Sequence, residues 1–335
     1  MLAFACAFTM FAGAASFTDA ADIEATEAVN MLTALGVIEG YEDGSFQPNG
    51  VVTRAEMAKM IFVIWNGGED DASAYQSMNS AFGDTTTHWA RGYINFCAAN
   101  NIIAGVGNNR FNPDATVTGQ EAAKMLLTII GYDEERAGLT GANWAQNTMS
   151  YAGLCGLFND VDSPVEQGLP RQYAAQMIYN ALDTNRVKWS TDSNSFDDIT
   201  SWNGSTFVKE TVGERYMGYT TITGILVEAN NGDGKGFGIL TQDVTNNQYD
   251  GTYTWTNSVW SETKYTTDLT QYLGQEVKVA YDSDEYSKNN DSVFGVFATD
   301  ENNVVSSSRN KVKMTSDSTK VKIDGTEYKI DANAK

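Results

Sequence analysis

Two neighbouring stretches decide the fold: Val37–Pro48, VIEGYEDGSFQP, and Val52–Met60, VTRAEMAKM. Both recur 65 residues later, as Ile102–Pro113 (IIAGVGNNRFNP) and Val117–Met125 (VTGQEAAKM). Phe17-Thr18-Asp19 returns at the same offset as Phe82-Gly83-Asp84. One offset shared by three separated blocks marks a tandem repeat. A looser third copy follows. Trp144-Ala145 matches Trp89-Ala90 at an offset of 55, and Arg171–Met177 matches Arg54–Met60 at 117. The changed offset puts loops of different length between the same two helices.

Each copy reads as helix, turn-rich loop, helix. In the first, Ala28, Val29, Leu32 and Leu35 form one apolar stripe on a helix predicted over residues 25–35. The Gly, Asp and Pro of residues 40–48 set up a turn through their backbone preferences. Thr53-x-x-Glu56 is a capping box, repeated as Thr118-x-x-Glu121, and opens a helix whose stripe is Met57, Met60, Ile61 and Ile64. The equivalent stripes are Ala122, Met125, Leu126, Ile129 and Ala174, Met177, Ile178, Ala181, Leu182. Three helices with one apolar face each can bury those faces against one another. The repeats are placed at 17–66, 82–131 and, degenerate, 139–185.

Residues 186–214 are rich in Ser, Thr, Asp and Asn without helical period and read as a linker. Beyond 215, short alternating runs of Thr, Val and Tyr appear, at Thr221–Val227, Gly236–Thr241, Gly251–Thr256, Glu276–Tyr281, Val293–Ala298, Lys311–Met314 and Lys320–Ile323. Turn clusters such as Asn230–Gly234 separate them, and the spacing predicts an all-β barrel or sandwich over 215–335.

The start, Leu2–Ala15, is uncharged and apolar and ends in Ala12-Gly13-Ala14. It reads as a secretory signal over 1–15 that lacks its basic n-region. With Cys6 inside it, Cys97 and Cys155 remain, both in helical apolar sequence, so the chain is no disulfide scaffold, though one optional bridge is open. The 335 residues carry 43 acidic and 22 basic side chains, a net charge of −21. That balance argues against nucleic acid and against a polybasic membrane patch.

The quoted residues resemble the S-layer homology family. Its motif combines an opening F-x-D, H-W-A, the loop G-Y-x-D-G-x-F-x-P and the helix start T-R-A-E. Repeat 1 carries Phe17, Asp19, the full loop at 40–48 and Thr53–Glu56. Repeat 2 carries Phe82, Asp84, His88-Trp89-Ala90, Phe111 and Pro113. The resemblance covers about residues 17–185 and implies an all-α pseudo-threefold bundle followed here by the β-rich part. It further implies inter-repeat grooves that bind secondary cell-wall polysaccharide, often pyruvylated, on a secreted protein attached to the cell wall or S-layer. Partners are then the polysaccharide and other S-layer subunits, with no nucleic acid and no membrane after signal cleavage. No cofactor and no metal are expected.

Departures fall in every repeat. Repeat 1 has Glu24 where repeat 2 has Trp89. Repeat 2 has Gly119-Gln120 in place of Arg-Ala. Repeat 3 keeps Trp144 and Arg171 but lacks the F-x-D opening and the loop. One or two composite grooves are expected, not three equal ones.

Polysaccharide-binding candidates are Arg54, Arg171, Trp89, Trp144, Gly40, Tyr41, Asp19, Asp84 and Gly105. Arg54 and Arg171 stand in a first helical turn, where the dipole disfavours a cation, and a guanidinium fork suits a carboxylate. Trp89 and Trp144 read equally as sugar platforms or core anchors. Gly40, Gly44 and Gly105 serve backbone geometry, and Asp19 and Asp84 either cap a helix or orient a groove residue. Glu56 and Glu121 read as capping partners, and Lys59 and Lys124, at one helical position, as a solvated face or, second to that, as groove residues. His88 is the only histidine, no phosphate loop is present, and the chain is expected to be non-catalytic. The rival reading is a wall-anchored polysaccharide-active enzyme whose catalytic part lies in the β region or beyond residue 335.

Overall fold

A computed structural model describes residues 17–202, 206–229, 236–243, 254–260, 267–282, 293–299, 308–316 and 319–329. The signal expected over 1–15 and the Asn230–Gly234 turn lie outside them. The chain divides into two compact units, Met1–Thr220 with Asp282–Asp284, and Thr221–Tyr281 with Glu285–Lys335.

The first unit is helical. Its helices are α1 (Thr26–Ala34), α2 (Arg54–Trp65), α3 (Ser73–Gln76), α4 (Arg91–Ala99), α5 (Gly119–Ile130), α6 (Trp144–Leu154) and α7 (Arg171–Leu182). Both capping boxes form: Thr53 accepts from the Glu56 amide and Thr118 from that of Glu121, while each glutamate reaches back to the N-cap amide. All the stripe residues of α2, α5 and α7 are buried. The first helix of each copy ends in a left-handed residue, Gly36, Asn101 or Gly156. There Val37, Ile102 and Leu157 donate back to Leu32, Cys97 and Ala152, which satisfies a terminal carbonyl.

The three copies are closed on one another by backbone. Val52 N–H donates to Leu169 O, Leu169 N–H to Val117 O, and Val117 N–H to Val52 O, each at 2.9 Å. All three residues are at most 1% exposed, so this triangle sits in the core. Around it, each long helix has its free N-terminal donors met by a loop from another copy. Arg54 and Ala55 donate to Ala115 and Pro113, Gln120 to Val165, and Arg171 and Gln172 to Gly50 and Pro48. The order is cyclic: copy 2 serves copy 1, copy 3 serves copy 2, and copy 1 serves copy 3.

Residues 186–214, read above as a linker, include two hairpins, β1 (Val187–Ser190) with β2 (Ser195–Asp198) and β3 (Thr200–Trp202) with β4 (Phe207–Lys209). The first packs on the helices. A Cβ on Gly131, at φ 118°, would overlap the Val187 carbonyl, and Phe196 lies 4.7 Å from Tyr132. A π-helical turn at Gly213–Met217 then sets Tyr216 on Trp65, 4.5 Å away. Cys97 and Cys155 are free; Cys97 is buried, where it behaves as a small apolar residue.

In the second unit, strands β5 (Tyr219–Glu228), β6 (Phe237–Asp243), β7 (Thr254–Trp260), β8 (Glu276–Asp282) and β9 (Val293–Ala298) form one sheet in the order β7-β6-β5-β8-β9. Val277 and Val279 are buried while Lys278 between them is not, the alternation of a half-buried strand. Strands β10 (Val312–Met314), β11 (Lys320–Ile323) and β12 (Thr326–Lys329) make a separate antiparallel meander. The expected β-rich region is present. Among the described residues it is an open sheet with β7 and β9 at its edges, not a closed barrel.

Candidate functional site

The F-x-D residues build the loops. Asp19 accepts from the amides of Phe46 and Gln47 at 2.8 Å, and Asp84 from those of Phe111 and Asn112 at 2.9 Å. The amide bonds from Phe46 and Gln47 hold the Asp19 carboxyl below its usual range. At Asp84 burial opposes this, but the loop amides and Arg110 outweigh it. Neither side chain caps the first helix, so both orient the loop. The phenyl rings of Phe17 and Phe82 lie beneath Gly40 and Gly105. A Cβ at either glycine would stand 2.7 Å from the ring, so the backbone approaches as only glycine allows.

Two arginines are held in matching ways. Arg54 Nη2 donates to Ala104 O at 3.2 Å and its guanidinium lies 4.5 Å from the Phe111 ring. Arg171 Nη2 donates to Glu39 O, and its guanidinium lies 5.0 Å from Phe46. Glu39 and Phe46 are the 65-residue counterparts of Ala104 and Phe111. The resemblance ends there. Arg54 is 5% exposed, donates through Nε to Phe111 O, and forms a 2.7 Å ion pair with Glu121. Arg171 is only half-buried, and no ion-pair partner for it occurs among the described residues. The exposed ring of Tyr41 covers it at 4.9 Å, where the other loop has Val106.

A groove of about 290 Å³ opens over Arg54. Its walls come from all three copies: Arg54 from copy 1, Ile102–Val106, Glu121 and Lys124 from copy 2, and Leu139–Gly141 and Trp144 from copy 3. Lys124 therefore lines the groove, the less favoured of its two readings, and pairs with Glu134 at 2.8 Å. By the same offsets, Glu39–Tyr41, Glu56 and Lys59 of copy 1 and Trp89 of copy 2 are the counterparts of these lining residues for Arg171, which itself contacts Glu39, Tyr41 and Phe46. Lys59 pairs with Asp70 at 2.6 Å and lies 5.8 Å from Tyr93, whose ring is 6.1 Å from the 54%-exposed Trp89. His88 holds this corner, with Nε2 3.0 Å from Asp114 and Nδ1 accepting from Ala90 N–H.

The third position collects every departure seen in the sequence. Gly119 replaces arginine, and a Cβ there would meet Val165 Cα at 3.2 Å and Phe158 at 3.5 Å. Backbone of copy 3 therefore lies tight against this position. Glu24 replaces tryptophan, and Tyr173, standing where Glu56 and Glu121 stand, donates to it at 2.5 Å. That hydrogen bond pushes the Tyr173 phenol up to about 12, so it stays a donor. Arg54 and Arg171 thus stand at two of the corresponding helix starts, and glycine stands at the third.

Glu121 has a role the sequence reading missed: one oxygen completes the capping box while the other binds Arg54. The 65-residue offset identifies Glu121 as the counterpart of Glu56, and only the folded chain brings it to Arg54.

The family profile of the S-layer homology domain matches residues 16–58 and 81–123. The chain is 29% identical over 175 residues to the Middle cell wall protein of Brevibacillus brevis, covering 51% of this chain and 16% of that one. It is 30% identical over 178 residues to the Surface layer protein of Brevibacillus choshinensis, covering 51% and 15%. It is also 30% identical over 183 residues to Exoglucanase XynX of Acetivibrio thermocellus, covering 50% and 16%. The chain therefore spans at most 16% of the length of these relatives.

Proposed function

We propose that residues 17–185 are a non-catalytic anchor that fixes an exported chain to the bacterial cell wall by binding anionic secondary cell-wall polysaccharide, pyruvylated, in composite grooves. The carrying observation is the pair Arg54 and Arg171, two cations on corresponding helix starts, each laid on the loop of another copy. In this region of few basic residues, each of these cations is placed against the helix dipole, and its planar guanidinium suits a carboxylate.

On this reading residues 139–185 are a third, degenerate S-layer homology repeat, and the cyclic backbone triangle is the pseudo-threefold axis of the bundle. Arg54 and Arg171 line the grooves, Trp144, Trp89 and Tyr41 face sugar rings, and Gly40 and Gly105 let the polymer approach the backbone. Asp19 and Asp84 keep the loops in shape. The β-rich unit serves as a spacer or assembly surface, with other S-layer subunits as further partners.

Cosedimentation of the full chain with cell walls, before and after their polysaccharide is extracted, tests the anchor. Loss of binding on extraction supports it; equal binding to extracted walls removes it. The match to an exoglucanase favours a second reading, a wall-anchored polysaccharide-active enzyme, and release of reducing sugar from wall glycans by the full chain would establish that one.

A further inference from the structure

The two arginine sites share a frame but differ in what pairs with the cation. In each, an arginine Nη2 donates to a loop carbonyl, at Ala104 or Glu39, and the guanidinium lies over a buried phenylalanine, Phe111 or Phe46. The difference is what neutralises the cation. Glu121 takes Arg54 Nη1 at 2.7 Å, Phe111 O takes Nε, and the side chain is 93% buried. An anion entering there must displace or share a cation already compensated, with a carboxylate of like charge beside it. Arg171 has no such partner among the described residues, is half-buried, and keeps a buried Nε with no acceptor. A buried donor left unpaired is costly.

The flanking side chain differs as well. Tyr41, 41% exposed, lies over the Arg171 guanidinium, while Val106 occupies that place beside Arg54. An aromatic ring stacked on a guanidinium fixes the fork and leaves its edge for a carboxylate. It also offers a hydroxyl-bearing platform for a sugar face.

We propose that the grooves divide the polymer between them: the Arg171–Tyr41 groove takes the carboxylate-bearing sugar, and the Arg54 groove, internally neutralised by Glu121, takes an uncharged sugar. This rests on the wall-polysaccharide reading above. It makes Arg171 and Tyr41 the specificity-determining pair, and Glu121 the residue that keeps the second groove from competing for the acidic sugar.

The test uses the full chain and purified wall polysaccharide in two forms, native and with its acid-labile pyruvate ketals removed by mild acid. Affinity is measured by titration calorimetry for wild type, Arg171→Ala, and Arg171→Ala combined with Glu121→Gln. The glutamine can still complete the capping box, and circular dichroism of that variant checks that it keeps its fold. Wild type should prefer the native polymer by about ten- to a hundredfold, the range of a charge-assisted contact. Arg171→Ala should bind both forms alike, at the wild-type level for the ketal-free form. Adding Glu121→Gln should restore part of the preference, by about fivefold or more, because Arg54 is then uncompensated. The proposal is overturned if Arg171→Ala still prefers the native polymer, or if freeing Arg54 restores nothing. Wild type binding neither form would overturn the wall-polysaccharide reading itself, and this proposal with it.

Discussion

Arg54 and Glu121, 67 residues apart, meet in a 2.7 Å ion pair that joins the start of one repeat's long helix to the capping box of the next. The arginine is nearly buried, and burial lowers its pKa while Glu121 and Asp84 oppose that. It remains a cation at any physiological pH. Arg54→Ala would leave Glu121 without its partner and open a void against Phe111. We expect a loss of about 3 kcal/mol in denaturant unfolding, the lower end for a broken buried pair. Arg171→Ala, half-buried and unpaired, should cost less than about 1 kcal/mol.

Gly119→Arg should not create a third groove. The Cβ alone would press on Val165 and Phe158, where backbone lies tight against this position. We expect about 2 kcal/mol of destabilisation from overpacking and no gain in polysaccharide binding, read by unfolding and by titration.

Asp19 and Asp84 should set an acid limit on loop order. Their folded-state pKa values lie below the ordinary 3.8, so their stabilisation is complete above about pH 4 and is lost as pH falls through the lower folded values. Tyr41 and Trp89 fluorescence should report loop loosening only below about pH 4 in wild type. In Asp19→Asn with Asp84→Asn the loosening should be present at neutral pH, because an amide oxygen is a weaker acceptor for two N–H groups.

The collar of residues 186–220 should belong to the helical folding unit. Gly131→Ala places a Cβ against the Val187 carbonyl at φ 118° and should lower the melting temperature sharply. A chain ending at 185 should be less stable than one ending at 220, since it uncovers Trp65, Tyr132 and Tyr151, and thermal unfolding of the two measures this.

The helical frame was legible because its determinants are local. Capping boxes, stripes and turn residues act within a few positions, and Thr53–Glu56 or Thr118–Glu121 can be read without knowing the fold. The grooves were legible only in outline. Glu24, Gly119 and Tyr173 look like unrelated blemishes in three repeats, and only the cyclic closure brings them to one place. Glu121 hid behind its capping role, since a carboxylate has two oxygens and the second acted across 67 residues. The 186–214 segment hid for a different reason. Its first hairpin docks on Gly131 and Tyr132, and such packing leaves little periodicity in the strands themselves.

The most direct test of the two-groove account is retention of the full chain on immobilised wall polysaccharide for two variants. One is Arg171→Ala with Trp144→Ala, which strikes both arginine sites; the other is Tyr173→Phe, which strikes the third position. The account predicts that the first loses retention by at least about tenfold while the second matches wild type. Equal retention by both, or a loss confined to Tyr173→Phe, would contradict it.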